Sequence, residues 1–175
     1  MEFSIDGIRD DLTGLYNRKF IVDRSNYELD RARRYKHALS MIMLDLDHFK
    51  NINDKYGHQG GDIVLKAVAD ICTGSLRSID LLGRFGGEEY LICLPETETQ
   101  GTILTAERIR NNIETTEISY EGHIIKITVS IGITGTDCVA DENLDCFLKS
   151  ANRALYAAKA ENRNCVRCEM LMMIS

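Results

Sequence analysis

The chain has 175 residues, 44% of them hydrophobic and 27% charged, which suits one globular domain with a real core. A net charge of −6 excludes a protein that grips nucleic acid through a basic face, so a polyanionic ligand would have to be held locally, by a metal and a few Lys or Arg residues. The longest apolar runs, 38–44 and 170–174, are far too short to span a bilayer, and residues 1–11 carry acids where a secretory signal would have an apolar segment, so no membrane contact is expected of this domain.

Six cysteines are present, and without a signal segment they are expected as reduced thiols. Cys72 and Cys93 fall on apolar faces and suit the core. Cys165-Val-Arg-Cys168 has the spacing of half a zinc site, but no second pair of ligands accompanies it.

In chain order, residues 38–45 form a mostly apolar run, consistent with a central strand. A polar, glycine-rich stretch, 51–62, leads into a helix predicted over 61–76, with an apolar stripe at 63, 64, 67, 68, 71 and 72 and Asp62 in its first turn. Leu81 and Leu82, then Gly86-Gly87, then Tyr90 to Leu94 spell strand, tight turn, strand. Residues 99–117 are predicted helical through Ile103, Ala106, Ile109 and Ile113. Residues 125–133 alternate apolar and polar, the pattern of a half-buried strand. A helix over 144–159 and a short strand near 165–168 complete the chain. The sum is one antiparallel-rich sheet with helices alongside, an α+β sandwich of the βαββαβ kind within the broad α/β class. Such a scaffold serves many functions, so function must come from a site.

The most informative segment is Arg84-Phe85-Gly86-Gly87-Glu88-Glu89-Tyr90. Two residues without side chains let a ligand approach the backbone, and two acids at the turn can hold a hard cation. Asp45 closes the first apolar strand, where it is partly desolvated yet within reach of a ligand. If the hairpin lies beside that strand, Asp45 and Glu88 converge, and two carboxylates with a main-chain carbonyl suit Mg²⁺. Asp62 and Asn53 could read a base: guanine presents adjacent N–H donors that one carboxylate accepts. The plain reading of Asp62 is an acid favoured at a helix start by the helix dipole.

Together these segments resemble the GGDEF family of diguanylate cyclases. The matching stretches run from Asp10-Asp11-Leu12-Thr13-Gly14-Leu15-Tyr16-Asn17-Arg18 to about Asn164. They include Asp45-Leu46-Asp47-His48-Phe49-Lys50, Asn53-Asp54, Gly57-His58-Gln59-Gly60-Gly61-Asp62, Gly86-Gly87-Glu88-Glu89-Tyr90, Ser130-Ile131-Gly132 and Ala154-Leu155-Tyr156-Ala157-Ala158-Lys159. The resemblance implies a palm-like, nucleotidyl-cyclase-type domain over 10–170, with 1–9 a linker remnant and 171–175 a tail. It implies a bacterial, cytoplasmic signalling enzyme that joins two GTP into cyclic di-GMP, as the cytoplasmic part of a larger protein carrying a sensor or regulatory domain.

The resemblance also implies roles. Asp45 and Glu88 bind Mg²⁺ (or Mn²⁺) by side chain and Leu46 by its carbonyl; Glu88 is the favoured group to activate the attacking 3′-hydroxyl. Asn53 and Asp62 read guanine, and His58 lines the nucleotide site. Backbone N–H groups of Phe49 and Lys50, with the side chains of Lys159 and Arg163, hold the triphosphate, the last two from one helical face if the helix continues that far. One domain holds one GTP, so the active form is a two-fold homodimer. Arg77-Ser78-Ile79-Asp80 matches the family's Arg-x-x-Asp product-inhibition motif, roughly 20 Å from the turn at strand rise, and Arg108 supplies a further product contact. A surface salt bridge is the plain alternative for that pair.

The sequence departs from the family pattern at four places. Tyr90 stands for Phe, Glu88 for the Asp of the family name (both acids occur), Asn152 for Asp, and Glu161 for Gly. Glu161 would be strained if its position were left-handed. Intact Asp45, Glu88, Asn53 and Asp62 favour a working cyclase over a cyclic di-GMP receptor of the same family that no longer turns over GTP.

Overall fold

A computed structural model describes residues 7–137 and 139–171; the tail apart from Leu171, most of the expected linker remnant, and Cys138 lie outside these. The elements in order are α1 (Arg18–Tyr35), β1 (Leu39–Leu46), α2 (Phe49–Gly74), β2 (Leu81–Arg84), β3 (Glu89–Pro95), α3 (Thr99–Thr115), β4 (Ile118–Tyr120), β5 (His123–Ile125), β6 (Val129–Thr136), α4 (Leu144–Ala160) and β7 (Val166–Cys168).

The apolar run Leu39–Leu46 has no polar face, so it needs cover on both sides, and it gets that at the middle of the sheet. Strand order is β2-β3-β1-β6-β7, antiparallel except for the parallel pair β6 and β7. Ile42, Leu44 and Leu46 face α2 and α3, in one core with Val64, Val68, Ile109 and Ile113. Leu39, Met41 and Met43 face α1 and α4, with Ile21, Leu29, Phe147 and Ala151. In register, Ile42 stands between Ile92 of β3 and Ile133 of β6. Each such side chain contributes about 1.5–3 kcal/mol by leaving water. The sheet with helices on both faces is the α+β sandwich expected.

Several elements differ from the expectation. Helix α1 escapes an apolar-stripe search because its buried face mixes Ile21, Leu29 and Ala32 with Ser25 and Glu28. It is started by the Asn17 side chain, which accepts from Phe20 N at 2.9 Å. Helix α2 begins at Phe49, well before residue 61, and is kinked at Gly57 (φ 73°, ψ 173°), a conformation that favours glycine. Asp62 therefore lies in the second turn after the kink and not at a helix start.

The predicted strand over 125–133 is interrupted at 126–128, and Ile125 belongs to the small β4–β5 hairpin. Its Ile residues do share one face, in the α2–α3 core. The strand β6 is nonetheless buried throughout, because α4 covers the other face. Contact there is so close that a Cβ on Gly132 would fall 2.2 Å from Ala151 O and from Leu155 N. Lys159 lies one turn beyond Leu155, so this contact sets its height above the end of β1.

Candidate active site

The hairpin β2–β3 lies beside β1, as the convergence of Asp45 and Glu88 requires. Asp45 pairs in register with Glu89 on one side and Ser130 on the other, and Leu46 N donates to Glu88 O at 3.2 Å. The turn is closed by Phe85 N and Gly86 N, which both donate to Glu89 O at 2.8 and 3.2 Å. It is braced from outside: Arg84 Nη2 donates to Gly87 O at 2.8 Å while Nη1 sits 3.1 Å from Asp10 Oδ1. Asp10 in turn accepts from Thr13 N and Thr13 Oγ1 at 2.8 and 2.7 Å. The ring of Tyr90 is buried in the core, and its extra hydroxyl finds a partner, donating to Leu65 O at 2.8 Å.

The electrostatics of this end are unbalanced. Asp45 is 6% exposed, and its carboxyl is raised above the usual range by burial and by nearby Asp47, against the pull of Lys159 and Arg163. Glu88 is raised by burial first and then by the Asp45 charge. One ammonium faces them, Lys159 Nζ at 3.0 Å from Asp45 Oδ2. Two partly desolvated carboxylates, both raised by burial and Glu88 further raised by the Asp45 charge, form an all-oxygen donor set that a hard divalent cation would relieve, so these residues fit Mg²⁺ or Mn²⁺. Among the described residues no group of three or more His, Cys, Asp or Glu gathers for a metal, so a cation here would complete its shell from carbonyl, phosphate or water.

The kink in α2 brings two more predicted residues together. A Cβ on Gly61 would come 1.9 Å from Asn53 Oδ1, so the Asn53 side chain lies against the helix just where exposed Asp62 emerges. His58 is exposed on the first turn past the kink. At the other end of α2, His48 is left-handed (φ 54°) and gives no side-chain cap, so the N–H groups of Phe49 and Lys50 open a helix whose dipole favours an anion.

Lys159 projects from α4, but Arg163 does not: the helix ends at Ala160. Arg163 sits instead in a left-handed run, Asn162, Arg163 and Asn164 (φ 79°, 60° and 44°), close enough for its charge to act on Asp45. Glu161 is not strained, since its φ is −94°; the left-handed segment starts one residue later, and Glu161 pairs with Arg167 (Nε to Oε2, 2.8 Å). Asn152 is exposed.

Asp47 was not singled out from the sequence. It is 5% exposed and accepts from Thr128 Oγ1 (2.7 Å), Ser130 Oγ (2.6 Å) and Asn164 N (3.0 Å). Its two-residue spacing from Asp45 is the one trace it leaves in the sequence. The Asp10–Arg84 pair, 74 residues apart, leaves none.

Arg77 and Asp80 lie at the far end of β2 and form a closed unit. Arg77 Nη2 reaches Asp80 Oδ1 (2.8 Å), Pro95 O (3.1 Å) and Thr97 Oγ1 (2.5 Å), and Arg77 N donates to Asp80 Oδ2 (2.8 Å). Arg108 lies on α3 as expected, its Nη2 donating to Ser75 O at 2.7 Å. A cleft of about 290 Å³ opens beside Arg77 and Asp80, lined also by Arg9, Tyr16 and Leu76.

Comparison with known proteins agrees with this geometry. A family model described as "Diguanylate cyclase, GGDEF domain" matches residues 8–165. Among curated proteins, diguanylate cyclase A of Treponema denticola is 40% identical over 138 residues, 79% of this chain and 37% of that protein. The response regulator PleD of Caulobacter vibrioides is 35% identical over 161 residues, 91% of this chain and 35% of that protein. The chain thus spans about a third of the length of the curated relatives it matches. Among solved structures, the GGDEF domain of DgcB from Caulobacter crescentus, in complex with c-di-GMP, superposes with a TM-score of 0.87 at 31% identity, covering 91% of this chain and 92% of that one. Diguanylate cyclase SiaD of Pseudomonas aeruginosa, in complex with its activator SiaC, gives 0.86 at 36% identity, covering 93% of this chain and 61% of that one. The chain belongs to the GGDEF-domain family of diguanylate cyclases.

Proposed function

We propose that residues 10–170 form a diguanylate cyclase domain that joins two GTP into cyclic di-GMP, releasing two pyrophosphates, at the interface of a two-fold homodimer. The observation that carries this reading is the meeting of Asp45 and Glu88, both with raised carboxyls, at the end of β1 beneath Lys159. In each half-reaction a 3′-oxygen bonds to the α-phosphorus of the other GTP, the α–β bridge breaks, and pyrophosphate leaves with the bond's electron pair.

The protein's work is positioning and charge neutralisation. The Asp62 carboxylate accepts from the adjacent N–H donors of the guanine edge, Asn53 adds a further hydrogen bond, and His58 lies beside them. The N–H groups of Phe49 and Lys50, with the side chains of Lys159 and Arg163, bind the triphosphate. Asp45, Glu88 and the Leu46 carbonyl would hold Mg²⁺ or Mn²⁺, which when bound supplies Lewis-acid polarisation of the α-phosphate. Glu88, with a carboxyl shifted toward neutrality, is suited to take the proton of the 3′-hydroxyl. Arg77, Asp80 and Arg108 form the product-inhibition site, where the guanidinium groups pair with phosphate and guanine acceptors.

In the whole protein this domain would follow a sensor or regulatory domain and act in the cytoplasm. Among the described residues no helix is long and apolar enough to cross a membrane. Incubation of the chain, enforced as a dimer, with GTP and Mg²⁺, followed by separation of nucleotides, tests the proposal. Cyclic di-GMP is the expected product. Binding of cyclic di-GMP with no turnover of GTP would replace this reading with that of a receptor module.

A further inference from the structure

The left-handed run at residues 162–164 is unusual because none of the three is glycine. Such a segment persists only where its surroundings over-determine it. Here they act on Asn164. Its main-chain N–H donates to Asp47 Oδ2 at 3.0 Å. Its side-chain Oδ1 accepts from Arg110 Nη1 at 2.9 Å, and its Nδ2 donates to Glu114 Oε1 at 2.9 Å. Asp47 is itself tied to Thr128 and Ser130 at the start of β6, and Arg110 is tied to Glu114 at 2.6 Å. Asn164 thus fastens the turn after α4 to the sheet by its backbone and to α3 by its side chain. Arg163, the residue before it, is exposed, with its N–H donating to Ala158 O at 3.1 Å.

We propose that Asn164 is a positioning residue: clasped by Asp47, Arg110 and Glu114, it holds the left-handed turn that presents Arg163 to the triphosphate of the bound nucleotide. The inference rests on the reading of Arg163 as a triphosphate contact. Its physical content is pre-organisation. A long, exposed arginine on an untethered turn would lose rotamer and backbone freedom each time it bound phosphate, and the clasp removes the backbone part of that loss. The turn would otherwise be an ordinary exit from α4 toward β7, and then Asn164 would matter for stability alone.

The two roles separate in binding. The test uses a GTP analogue with a non-cleavable α–β bridge, titrated against the chain, together with steady-state kinetics on GTP. Asn164→Ala is expected to weaken analogue binding about tenfold, the scale of one charge-assisted phosphate contact. KM should rise accordingly, with kcat changed by no more than about threefold. Arg163→Ala should weaken binding as much or more, and the double variant no further than Arg163→Ala alone. Glu114→Gln, an exposed change that leaves the core untouched, should move binding the same way by less, and it keeps the test available if Asn164→Ala does not fold. Wild-type binding by both Asn164→Ala and Glu114→Gln would overturn the proposal. So would losses that multiply fully in the double variant, or a fall in kcat with KM unchanged. Wild-type binding by Arg163→Ala would remove the triphosphate role of Arg163 and the inference with it, leaving the metal site intact. Failure of the wild-type chain to bind the analogue at all would overturn the parent reading instead.

Discussion

The two ends of β2–β3 carry similar residue types in opposite conditions. At the Arg77 end, one guanidinium meets one carboxylate with a main-chain carbonyl and a hydroxyl, and the group is self-satisfied. At the Glu88 end, two carboxylates are held in partial burial against one ammonium, and both are shifted toward neutrality, first by burial. The first arrangement is already charge-paired and stable by itself. The second is short of positive charge and gains by binding a cation. A balanced cluster suits an occasional regulator, whereas an unbalanced one suits an obligatory metal and a phosphate-bearing substrate.

The largest expected effect lies at the unbalanced end. Glu88→Gln removes the proposed metal ligand and proposed proton acceptor together, and should cut turnover by roughly 10²–10³-fold, the scale of losing one preorganised electrostatic contact. Turnover equal to wild type would break the contrast between the ends. Gly132→Ala tests the support under Lys159: its Cβ would meet main-chain atoms of α4. It should destabilise by about 1–3 kcal/mol, the usual range for overpacking, seen as a lower midpoint in denaturant with an unchanged slope. Asp62→Ser should erode the preference for GTP over ATP about tenfold in kcat/KM if Asp62 is, as proposed, the acceptor for guanine N–H donors.

Smaller changes are expected at the balanced end. Arg77→Ala should abolish feedback by cyclic di-GMP in an initial-rate assay. Its side chain is half-exposed, but the Asp80 side chain it pairs with is only 2% exposed, so truncation leaves a buried carboxylate short of a partner and should cost about 1–3 kcal/mol as well. That loss with feedback intact would show that the pair is structural. The smallest effect concerns the brace behind the turn. Burial pushes the Asp10 carboxyl up, but hydrogen bonds from Thr13 and the Arg84 charge outweigh it and leave the value lowered. Its contribution to stability is therefore present above the unfolded value near 3.8 and is lost as pH falls through the lower folded value. Asp10→Asn should flatten acid unfolding below about pH 4, measured against wild type.

Much of the fold was legible because local rules applied. The run of β1, the stripe of α4 and the glycine turn each carry a period or a turn signal that burial then rewarded. The helix α1 was hidden because Ser25 and Glu28 occupy part of its buried face. The start of α2 was hidden because its first turns are polar and a kink at Gly57 separates them from the apolar stripe. At the site, Asp45, Glu88, Asn53 and Asp62 were visible as residue types at family spacing. Arg163 was expected on the face of Lys159 only if the helix continued that far; it stops three residues short, and the next contact of the chain there, Asn164 N to Asp47 Oδ2, joins residues over a hundred apart in sequence.

The sequence by itself determined the family, the sheet with its covering helices, and the residues proposed to meet a metal, a base and a phosphate. These follow from residue type, spacing and periodicity, which are local. Tertiary structure alone decided which charges face one another, and so which carboxyls rise, which arginine is already paired and which turn is held left-handed. Those properties depend on distance and burial between segments far apart in the chain. Local patterns carry no record of them.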